Sequence, residues 1–146
     1  MPERKTVERA QEDARESKSP STQAGEFVRE EIHHIREGKH GARSPQQAIA
    51  IGLSKARRAG VKLGAPTKSP ATVRAKAQRE AEAGRKPRHK TSQSRSRAIT
   101  EALKREPRAS ASRQAISSQT KRSAAKRGKR ARSAAAKRAA RTRKVA

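Results

Sequence analysis

The sequence predicts a mostly α protein with a small helical hairpin module, further isolated helices and a largely disordered basic C-terminal arm. Three observations carry this prediction. Charge is sorted: residues 1–38 hold nine acids against seven bases, while residues 39–146 hold thirty-two bases against four acids. Large aliphatic and aromatic side chains number only sixteen, and nine of them lie between Phe27 and Leu63. A basic residue followed by Ser-Pro recurs every twenty-five residues, at Lys18-Ser19-Pro20, Arg43-Ser44-Pro45 and Lys68-Ser69-Pro70. Serine supplies an N-cap oxygen and proline is preset for the first helical turn, so each unit reads as a helix start. Gly38, Gly60 and Gly84 read as the matching stops.

Residues 1–19 form a weakly helical mixed-charge head, where only Val7, Ala10 and Ala14 share a face. Residues 20–64 form the two-helix module. Its first helix, over about 21–37, aligns Ala24, Phe27, Val28, Ile32 and Ile35 at helical spacing. Glu26, Arg29, Glu30, His33 and Glu37 fall opposite, an acidic outer face that would compete with nucleic acid for the basic arm. Glu31 lies inside the apolar stripe and is expected to reach a base on the second helix. That helix, over about 45–59, aligns Ala48, Ile49, Gly52, Leu53, Ala56 and Ala59, and Gln47 completes a capping box with Ser44. The six residues Lys39 to Ser44 suit an antiparallel connection. Nine apolar side chains make a marginal core, so either self-association through the exposed stripe, giving a homodimer, or folding on the partner is expected.

Residues 65–120 read as a linker with short alanine-rich helices over about 70–83 and 96–106. Residues 121–146 form the basic tail, with twelve Lys/Arg spaced by Ala and Ser. Like charges oppose helix there, so a coil that gains helix on neutralisation is expected.

A net charge of +26, with no acid after Glu106, calls for an external polyanion. The candidate nucleic-acid contacts in the tail are Lys121, Arg122, Lys126, Arg127, Lys129, Arg130, Arg132, Lys137, Arg138, Arg141, Arg143 and Lys144. In the module they are Lys39 and Arg43 in the connection, then Lys55, Arg57, Arg58 and Lys62 around the end of the second helix. Arg43 stands beside a helix start, where free N–H groups and the dipole favour an anion. A base-reading helix-turn-helix would use Gln46 and Gln47, but the connection is longer than that motif's turn. Phe27 is the sole aromatic side chain, which favours duplex DNA over base stacking on single strands. RNA is the alternative polyanion.

Cysteine, tyrosine and tryptophan are absent and no glycine-rich phosphate loop occurs, so no enzyme, cofactor or small-molecule substrate is expected. Adjacent His33 and His34 point about 100° apart on a helix. With Glu30 and Glu37 they read as an exposed polar face, and no metal is expected. No apolar run approaches a membrane span, which gives an expectation of a cytoplasmic protein without a membrane partner.

The stretch Phe27-Val28-Arg29-Glu30-Glu31-Ile32-His33-His34-Ile35-Arg36-Glu37-Gly38-Lys39-His40, followed by Ser44-Pro45-Gln46-Gln47-Ala48-Ile49-Ala50-Ile51-Gly52-Leu53-Ser54-Lys55-Ala56-Arg57-Arg58-Ala59-Gly60, resembles a family of small basic bacterial proteins of unknown function. Its members are often labelled DNA-binding or plasmid-stabilisation proteins. The resemblance implies a bacterial origin, hence a nucleoid location, and carries over no catalytic residue. It also raises a second alternative, a plasmid-maintenance module that binds a protein partner. The tail from Lys121 is similar in composition to linker-histone tails and to the Lys/Ala-rich histone-like proteins of bacteria.

Overall fold

The structure, a computed structural model, describes residues 2–86 and 92–145, with side chains described as far as Arg141. Among the described residues there are six α-helices and no strand: α1 (Arg4–Arg15), α2 (Pro20–Arg36), α3 (Pro45–Arg58), α4 (Ala71–Arg85), α5 (Gln93–Lys104) and α6 (Arg113–Val145). A single 3-10 turn, Arg108–Ala111, precedes α6. The chain divides into two compact units, the first ending at Ala111 and the second beginning at Ser112.

Serine-proline punctuation sets the two central helices. Ser19 Oγ accepts the Thr22 N–H at 3.4 Å and Ser44 Oγ accepts the Gln47 N–H at 3.2 Å, with proline next in each case. Gln47 does not close the expected box onto Ser44. Its Oε1 accepts the Arg43 N–H at 2.7 Å, one residue further out. At the third unit Ser69 makes no cap, and α4 begins after Pro70. Gly38 and Gly60 stop α2 and α3 with φ of +79° and +95°, a left-handed conformation that costs glycine nothing sterically. Gly84 is not a stop: α4 runs through it to Arg85. Its hydrogen faces the Arg57 carbonyl, so closely that a Cβ would lie 2.2 Å from that oxygen.

Contacts between α2 and α3 run in antiparallel order. Ala24 and Phe27 share an apolar patch with Ala56, Gly52 abuts Val28, and Ile35 shares a second patch with Ala48. Glycine at 52 permits this approach, since a Cβ there would sit 2.7 Å from Val28 Cα. Phe27 and Ile35 are wholly buried within one chain. Ala24, Phe27 and Ile35 of the apolar stripe are thus covered within the chain, while Val28 and Ile32 are half-buried. Val7 and Ala10 of α1 close one end, Val61 and Leu63 fold back beside them, and Ala42 and Ala111 close the other end.

This makes the first unit larger than the two-helix module. The head docks because Thr6 and Ala10 present one buried face of α1, although Ala14 stays exposed. α4 docks on α3 through Ala77, Glu80 and Gly84, three positions on one helical face. Beyond α5 the chain returns to the α2–α3 connection. Gly41 N–H donates to the Leu103 carbonyl at 2.8 Å, Ala42 N–H to the Pro107 carbonyl at 3.2 Å, and Arg36 Nε to the Ala111 carbonyl at 2.8 Å. No helix among the described residues is long and apolar enough to cross a membrane.

The second unit differs from the coil expected for the tail. It is helical from Arg113 to Val145, with a break at Gly128, where φ is 73° and ψ is 164°. Alanine, lysine and arginine are all strong helix formers. Like-charge pairs such as Arg122 with Lys126 oppose them by only about 0.2–0.5 kcal/mol each. Gln119 Nε2 donates to Ser123 Oγ at 3.1 Å, a polar link one turn apart.

Candidate nucleic-acid interface

The tail cations are uniformly outward. Lys121, Arg122, Lys126, Arg127, Lys129, Arg130, Arg132, Lys137, Arg138 and Arg141 are all exposed. The side chains of Arg143 and Lys144 lie outside the described residues. Residues 113–127 and 129–145 each rise about 22–26 Å at 1.5 Å per residue, and their charges lie all round the axis.

The module cations separate into two groups. Lys55 turns inward, with Nζ 2.6 Å from Glu31 Oε2 and 3.4 Å from Glu30 Oε1. Glu31 thus reaches the base expected for it. Arg57 is buried and lies 3.6 Å from Glu80 Oε2. Both are paired with a buried acid in this fold, and removing either base would strand that acid without water. Arg58, 64% exposed at 3.8 Å from Glu80, and the exposed Lys62 remain at the surface. Arg43 is 82% exposed and 3.7 Å from Glu106 Oε1. Lys39 lies 3.2 Å from Glu3 Oε1 and 3.1 Å from Glu37 Oε2. The hydrogen bonds that Lys39 donates, first to Glu37 and then to Glu3, raise its ammonium above the usual range. Its charge is already balanced within the chain.

The acids expected on the outer face of α2 are likewise taken up. Glu26 lies 3.8 Å from Arg9 and 3.7 Å from Arg29, and Glu37 lies 2.9 Å from His33 Nε2. Glu30 is buried; it is 6% accessible, accepts the Glu3 N–H at 3.2 Å and meets Lys55. The docked head covers it, which helical spacing within α2 could not reveal. Each of the three acids thus has a base of the same chain beside it.

Sequence reasoning also misplaced His34, read as part of an exposed polar face. His34 is buried and its Nε2 lies 2.8 Å from Glu3 Oε1, while the half-buried His40 lies 3.3 Å from Glu31 Oε1. The hydrogen bond from His34, followed by that from Lys39, holds the Glu3 carboxyl at about 2 against an ordinary 4.5. Of the two α2 histidines, His33 is the exposed one.

No family model matches the chain, and no match was found among curated proteins or solved structures.

Proposed function

We propose that the protein is a non-enzymatic, nucleoid-associated protein that binds duplex DNA through the phosphate backbone with little sequence preference. One observation carries this reading: ten exposed Lys/Arg side chains between Lys121 and Arg141, in a stretch of sequence that has no acidic residue after Glu106. Each cation that neutralises a phosphate releases condensed counterions, and this supplies sequence-independent affinity. A helix bearing cations on every side suits the major groove, which admits an α-helix and is bordered by phosphates on both flanks. Arg58, Lys62 and the exposed bases of α4 (Arg74, Lys76 and Arg79) add phosphate contacts from the first unit. Two cationic units on one chain give bivalent binding, and bridging or compaction of DNA follows from it. The resemblance of residues 27–60 to small basic bacterial proteins agrees with this reading.

The test is fluorescence anisotropy on matched duplex DNA, single-stranded DNA and duplex RNA over a salt series, comparing the full chain with one ending at Thr120. If roughly half of the twelve tail charges engage, duplex affinity falls about a thousand-fold between 50 and 200 mM salt. The slope collapses without the tail. Equal binding by the shortened chain overturns the tail's role, and tighter binding to duplex RNA moves the reading to an RNA-associated protein.

A further inference from the structure

We propose that Glu31, His34 and His40 form a site for a divalent transition-metal ion of the zinc type, which staples the α2–α3 connection to α2. Each of the three offers a ligand atom, and those atoms lie within 4.8 Å of one another. Ligands around one zinc ion at about 2.1 Å stand roughly 3.5 Å apart, so side-chain rotation of about an ångström draws them together. Glu31 is completely buried and His34 nearly so.

The hydrogen-bond wiring of the two rings points inward. His40 Nδ1 lies 3.1 Å from the Gly41 carbonyl, so it carries the proton and Nε2 keeps its lone pair. That Nε2 faces Glu31 Oε1 at 3.3 Å. His34 Nε2 donates to Glu3 Oε1 at 2.8 Å, which leaves the Nδ1 lone pair 3.9 Å from Glu30 Oε1. Each ring thus keeps its second nitrogen near a buried carboxylate, His40 Nε2 at Glu31 and His34 Nδ1 at Glu30. Anchoring the far N–H on a carbonyl or carboxylate is also how proteins orient ligating histidines.

Glu31 supplies an independent observation. Neither of its buried oxygens has a partner in hydrogen-bond geometry, although Lys55 Nζ approaches Oε2 to ion-pair distance. Lys55 occupies Oε2 and leaves Oε1 for the metal. Two imidazoles with one carboxylate select Zn²⁺, Co²⁺, Ni²⁺ or Cu²⁺ over Mg²⁺ and Ca²⁺, which require mainly oxygen. The metal would fix a connection without regular secondary structure onto a small core, as structural metals do in small domains. His40 takes the place that His33 cannot, since adjacent helical residues diverge.

Calorimetric titration of the full, chelator-stripped chain with ZnCl₂, alongside MgCl₂, tests the site. The expected result is one equivalent of Zn²⁺ bound at micromolar Kd or tighter, with Mg²⁺ binding far weaker. H34Q and H40Q each weaken Zn²⁺ binding at least about tenfold. H33Q leaves it unchanged, and circular dichroism checks that every variant keeps its helical content. If H34Q unfolds, H40Q alone decides, because its side chain lies on the connection. The proposal is overturned by absent Zn²⁺ binding, by binding that survives H40Q, or by binding lost in H33Q, which would assign it to the surface pair His33–Glu37.

Discussion

Lys55 Nζ stands 2.6 Å from Glu31 Oε2, and this pair joins the middle of α2 to the last turn of α3. Glu31 is wholly buried while Lys55 keeps about a fifth of its side chain in solvent. The pair explains why a charged residue interrupts an apolar stripe. K55A leaves an uncompensated buried carboxylate, and the expected loss is about 3 kcal/mol in urea unfolding. The double substitution E31M/K55M recovers most or all of that loss, since an apolar pair of similar volume escapes the desolvation of both charges. A double variant as unstable as K55A alone would refute the desolvation argument.

Gly52 sets the spacing of the same two helices. Its missing Cβ would fall 2.7 Å from Val28 Cα and 3.0 Å from the Phe27 carbonyl, both backbone atoms that cannot rotate aside. G52A is therefore expected to destabilise by about 1–3 kcal/mol, despite alanine's higher helix propensity. An unchanged or raised Tm would show that the helices separate at little cost.

Acid should release the N-terminal anchor. The folded Glu3 carboxyl is held at about 2 and its ordinary value is 4.5, so it stays charged in the fold at pH values where the unfolded chain takes up a proton. Its contribution is complete above the ordinary value and fades as pH falls toward the folded one. The Tm gap between the native chain and E3Q should hold steady above about pH 5 and close toward pH 2. A gap independent of pH would remove Glu3 from the ion cluster around His34 and Lys39.

Neighbouring arginines should separate in their effects. Arg57 is buried against Glu80, whereas Arg58 and Lys62 face solvent. The double variant R58Q/K62Q should reduce the log–log salt slope on duplex DNA by about 1–2 with unchanged Tm. R57Q should lower Tm and leave the slope intact. The reverse pattern would mean that Arg57, not its neighbours, meets phosphate.

Local chemistry made several features legible before any packing was considered. The helix starts at Ser19-Pro20 and Ser44-Pro45 follow from an oxygen and a fixed φ within one turn. The apolar stripe of Phe27, Ile32 and Ile35, and the acid-free tail, are properties of residue order. In the tail, local preference also had to be weighed against repulsion, and the balance fell to helix on either side of Gly128.

Which cations are free was not legible, because an ion pair depends on elements distant in sequence. Lys55 and Arg57 look like Arg58 and Lys62 along the chain. They differ because Glu31 lies across the helix pair and Glu80 arrives on α4. Likewise Glu30 and His34 belong to the polar side of α2 until the head docks over them through Glu3. Helical period assigns a residue to a face; which face is buried depends on what else the chain brings to it. Burial then selects the pairing, since an unpaired charge inside the protein costs far more than one left in water.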